Sequence, residues 1–121
     1  MSHAAQAYSR TSQVTGNARE IEAQALLRAA KELRDVQANW AGPNAKMHKA
    51  LLFNRRLWTI FMSAAESEDN PQPIEVRQNI ANISIFVLHQ TVDMQLDPDP
   101  SKLKPLIDIN CHIAAGLAGR S

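Results

Sequence analysis

Three breaker segments divide this chain and limit what it can fold into. Gly42-Pro43, the acidic run over residues 66–73 (ESEDNPQP) and the repeat over residues 97–100 (DPDP) each interrupt an otherwise helical pattern. Proline lacks the amide hydrogen a helix interior needs, and clustered Gly, Asp and Asn favour turns. The stretches between these breaks carry helical periodicity. Leu26, Ala29, Leu33, Val36 and Trp40 recur at helical spacing in the first. Met47, Ala50, Leu51, Asn54, Leu57, Trp58 and Phe61 form the stripe of a second, expected over residues 44–65. A third is expected over residues 74–96. A fourth, over residues 103–117, places Leu103, Leu106, Ile107, Asn110, Ile113, Ala114 and Leu117 on one face. No segment alternates as a strand would. Four helices on short loops predict an all-α fold, a compact antiparallel bundle.

Residues 1–16 read differently. Tyr8 and Val14 are their only large apolar side chains, so this stretch is expected to be a flexible arm, with the helical domain spanning residues 17–121. Asn17 followed by Glu20 resembles a capping box that would start the first helix.

With 121 residues and 45% apolar content, one domain can bury a core without metal or disulfide. Thirteen basic residues against twelve acidic ones leave a formal charge of +1. That balance argues against direct nucleic-acid binding driven by bulk charge. Cys111 is the sole cysteine, which fits a reducing compartment. No signal-type or membrane-spanning apolar run occurs, so a soluble, cytoplasmic protein is expected. His3, His48, His89 and His112 lack ligand spacing, so no metal is expected. Neither a nucleophile elbow nor a phosphate loop is present, and Glu66, Glu68 and Asp69 sit in a loop. No catalytic residue and no cofactor is expected, and the chain does not read as an enzyme.

Apolar surface is in excess. In ALLFNRRLWTIF (residues 50–61), Phe53, Leu57 and Ile60 widen the second helix's arc beyond one stripe, beside Arg55 and Arg56. On the third helix, Val76, Ile80, Ile83, Val87 and Met94 line one side. Ile74, Ala81, Ile85, Leu88, Val92 and Leu96 line nearly the opposite side. Such a helix is either central in the fold or open on one side to a partner helix or a second copy. The expected core is Leu26, Leu33, Leu51, Asn54, Leu57, Trp58, Phe61, Ile80, Ile83, Val87, Asn110 and Ile113. Asn54 and Asn110 fall within apolar faces, so each needs a hydrogen-bond partner. The candidate partner-binding residues are Phe53, Arg55, Arg56, Ile60, Ile85, Leu88 and Val92.

AREIEAQALLRAAKEL (residues 18–33), FNRRLWTIF (residues 53–61), VRQNIANISIFV (residues 76–87) and INCHIAAGLAG (residues 109–119) together resemble the FlaF family of flagellar biosynthesis regulators of alphaproteobacteria. NRRLW is the most specific piece. The resemblance implies a small cytoplasmic helical protein needed for flagellin synthesis or export, with neither catalytic residues nor a cofactor. It implies flagellin as partner, with an FlbT-family regulator as a second. The physical reading joins it at one point: a chaperone-like binder would cover apolar flagellin helices in a groove of the second and third helices. The alternative is a post-transcriptional regulator of flagellin translation acting through RNA or another regulator. Homodimerisation would also cover the surplus face.

Overall fold

The computed structural model describes residues 3–119, with side chains from residue 17 onward. Four α-helices follow one another: α1 (His3–Ala38), α2 (Ala45–Glu66), α3 (Ile74–Leu96) and α4 (Leu103–Leu117). A single 3-10 turn, Pro100–Lys102, leads into α4. No strand occurs among the described residues.

The breakers act where the sequence places them. Gly42 takes φ +86°, a left-handed conformation that glycine adopts without penalty, and it turns the chain between α1 and α2. Asn44 then caps α2, its Oδ1 accepting from the Met47 amide at 3.0 Å. Asp99 does the same for the 3-10 turn, accepting from the Ser101 amide at 2.9 Å. That bond, with a second from the Ser101 hydroxyl, holds the Asp99 carboxyl below its usual pKa.

One boundary needs correcting. The first helix starts at His3, not Asn17, and runs unbroken through Gly16. Residues 3–15 contain no proline, three Ala, two Gln and one Arg. The single glycine costs only about 1 kcal/mol of helix propensity. Asn17 is therefore internal, and Glu20 is not its capping partner. Glu20 instead accepts from Gln24 one turn on, at 3.3 Å. The side chains of Tyr8 and Val14, on which docking of an arm would depend, lie outside the described residues.

α1 packs along α4 and against α2, α2 packs along α3, and α3 meets α4 only sparsely. The core holds Leu26, Leu33, Met47, Leu51, Trp58, Val87, Met94, Leu103 and Leu106, all essentially inaccessible. Leu57, Phe61, Ile83 and Ile113 are half-buried against it. Ile80, expected in the core, is likewise half-buried.

The two asparagines are both fully buried and belong to one relay. Trp58 Nε1 donates to Asn110 Oδ1 at 2.9 Å, and Asn110 Nδ2 donates to Asn54 Oδ1 at 2.7 Å. The indole can only donate, so each amide orientation along the relay is forced. Asn54 Nδ2 is left without a partner among the described residues. The relay ties α2 to α4 across the centre of the bundle.

Candidate partner-binding surface

α3 is not the central helix. Its buried positions are Ser84, Val87, Thr91 and Met94. Ile74, Ile85, Phe86, Val92 and Leu96 are exposed, Leu96 to 81% and Ile74 to 61%. Ile74, Ile85 and Val92 are spaced by eleven and seven residues. At about 100° per residue they fall within roughly 20° of one another, along one line of the helix. The open-sided reading of α3 is therefore the one the fold adopts.

The edge of this face is set by Arg77. Its guanidinium crosses to α2, with Nε donating to Ala65 O at 2.8 Å and Nη2 to Ser67 O at 2.9 Å. These bonds satisfy carbonyls at the α2 C-terminus, with Asn70 Nδ2 adding a third to Ala64 O at 2.8 Å. Leu88 lies eleven residues beyond Arg77, hence on the same side of α3, and is half-buried toward α2. Ile85 and Val92 are exposed beside half-buried Leu88 on this side of α3.

The second-helix candidates divide between two surfaces. The Arg28 guanidinium stands over the Phe53 ring at 4.8 Å, marking that flank of α2 as the α1 side. Ile60, seven residues from Phe53, shares this flank and is 63% exposed. Ile21, seven residues before Arg28 on the antiparallel α1, comes level with it and is 69% exposed. Arg55 is about 200° around the helix from Phe53, so it lies on the exposed flank of α2 away from α1. Arg56 lies on the exposed outer ridge between them. Phe53 and Ile60 therefore belong to an α1–α2 patch, and Arg55 lies off it on the other flank.

Two clefts occupy opposite ends. One of about 650 Å³ lies at the α1–α2 turn, lined by Val36, Trp40, Lys46 and Lys49 among others. The other, about 220 Å³, has Trp58 and Phe61 at its base, with Glu22, Val76, Ile80 and Leu117 around it. The two rings meet edge to face, centroids 5.3 Å apart. Glu22 as a residue is exposed, yet its carboxyl end faces this cleft. Loss of water there pushes its pKa up, against the opposing charge of Arg19.

Sequence reasoning missed Arg77, Phe86 and Ile21. The role of Arg77 depends on how the 67–73 loop returns, which no local pattern encodes. Phe86 sits between the two faces recognised by spacing. Ile21 was hidden inside an expected first turn.

Among the described residues no group of three or more His, Cys, Asp or Glu is placed to hold a metal ion. No helix there is long and apolar enough to cross a membrane. Residues 4–117 match the family described as flagellar protein FlaF. The chain belongs to the FlaF family. Comparison with curated proteins and with solved structures gave no match. For the FlaF-family chain, the match reaches into all four helices.

Proposed function

We propose that this chain is a flagellin-binding, chaperone-like protein of flagellum biogenesis, acting in the cytoplasm. It covers an apolar helical segment of flagellin on the open face of α3 and the adjoining flank of α2. Membership of a flagellar family supports the setting. One observation carries the mode of binding: Ile74, Ile85, Val92 and Leu96 stay exposed on a helix whose opposite face is already packed. An exposed apolar stripe of this kind suits an amphipathic partner helix laid along it. Arg55 on the exposed flank of α2 adds a residue type enriched at interface hot spots.

Titration of purified flagellin into the wild-type chain and the Ile85→Asp, Val92→Asp double variant tests this reading. Both positions are exposed, so circular dichroism should show an unchanged fold. Affinity is expected to fall by about thirtyfold or more, the scale of a hot-spot loss. Unchanged affinity in a folded double variant overturns the assignment of this face. If flagellin fails to bind either protein and an FlbT-family regulator binds instead, the regulatory alternative takes its place.

A further inference from the structure

α3 is held to the bundle in an unusual way. Of its four buried side chains, two are hydroxyls, and Val87 and Met94 are the only fully buried apolar ones, flanked by half-buried Ile80, Ile83 and Leu88. Six of its apolar side chains, Ile74, Val76, Ile85, Phe86, Val92 and Leu96, face outward. Burial therefore draws α3 inward weakly for its length.

Its polar ties point the same way. Ser84 Oγ donates to Ile80 O and Thr91 Oγ1 to Val87 O, each at 2.7 Å. Both hydroxyls are satisfied within α3 itself. Moving the helix leaves neither unpaired and breaks no buried bond to another helix through them. The bonds that do cross lie at the two ends. Arg77 reaches the α2 carbonyls, Gln90 Nε2 donates to Lys102 O at 3.0 Å, and Lys102 Nζ pairs with Asp93 at 3.1 Å. These groups are exposed or half-buried, so water can replace their partners at small cost. The relay of Trp58, Asn110 and Asn54 meanwhile fastens α2 to α4 without using α3.

We propose that α3 is an opening strap: it detaches as one cooperative unit while α1, α2 and α4 stay packed around the relay. This concerns the free chain and stands whether or not flagellin is the partner. Opening uncovers the flank of α2 that α3 covers, giving the fold a second, larger apolar surface.

Native-state hydrogen exchange on the dilute full chain tests it. The slowest amides of α3 are expected to exchange roughly tenfold or more faster than the slowest of α1, α2 and α4, with a weaker denaturant dependence. The Ser84→Ala, Thr91→Val double variant strengthens the inward face and should slow exchange in α3 alone. Lys102→Ala loosens the end clasp and should speed it in α3 alone. If the slowest amides of α3 match those around Trp58 and Leu106 in rate and denaturant dependence, the proposal fails. It fails equally if both variants shift all four helices together.

Discussion

α3 and α4 are both rich in apolar residues, and they use them in opposite ways. α4 collects Leu103, Leu106, Ile107 and Ala114 on one buried face, with Asn110 at its centre completing a polar relay. α3 spreads its apolar residues around the helix and buries a row containing Ser84 and Thr91. The first arrangement makes a helix the core cannot do without. The second makes one the core tolerates, with surface to spare. Apolar content alone does not distinguish them; its angular distribution does.

The sharpest way to break this contrast is at the relay. Trp58→Ala removes the largest fully buried side chain and orphans Asn110 Oδ1. It should cost about 3–5 kcal/mol, read by urea unfolding. A loss below about 1 kcal/mol would mean that Trp58 does not anchor the core. Asn110→Leu comes next. It strands two groups, the Trp58 indole N–H and Asn54 Oδ1, at roughly 1–3 kcal/mol each. Asn54→Leu should cost clearly less than Asn110→Leu, because it strands only Asn110 Nδ2 and removes a donor already without a partner. Equal losses for the two asparagines would show that Asn54 Nδ2 has found an acceptor.

On the α3 side the expected effects are small. Ile85→Asp and Val92→Asp should each change stability by about 0.5 kcal/mol or less, as exposed substitutions do. A loss on the scale of a core residue would mean that this face is covered in the free chain. Smallest of all is Glu22→Gln. The folded carboxyl has a raised pKa, so the folded state is penalised once Glu22 ionises. The penalty is absent below the unfolded value of about 4.3, grows through the window up to the raised folded value, and is complete above it. The variant should therefore melt slightly higher than wild type at pH 7 and coincide with it near pH 3.

Much of the bundle was readable from breakers and periodicity. α3 and α4 span the expected residues, and α2 is displaced by one. The start of α1 was not, because an uninterrupted Ala-rich stretch and a plausible capping pair compete, and only the continuous backbone decides. The asparagines could be recognised as needing partners, but a Trp58 indole arriving from the neighbouring helix is a tertiary fact. The binding candidates were readable as exposed apolar excess. Their division between an α1–α2 patch and the open face of α3 was not, since it depends on which neighbour takes each flank of α2. A seven-residue spacing shows that Phe53 and Ile60 belong together, but only Arg28 over the Phe53 ring shows where they face.

The two tryptophans, one at the centre of the bundle and one at its α1–α2 end, stand in unlike surroundings. Trp58 is sealed from solvent with its indole bonded to a neutral amide, while Trp40 is half-buried in the cleft beside the α1–α2 turn. The chain thus carries two intrinsic fluorophores that a water-soluble quencher can tell apart. Trp40 emission should be quenched readily and Trp58 emission spared while the relay holds. Light from Trp58 that turns red and quenchable would signal that the centre of the bundle has come apart, with no label attached.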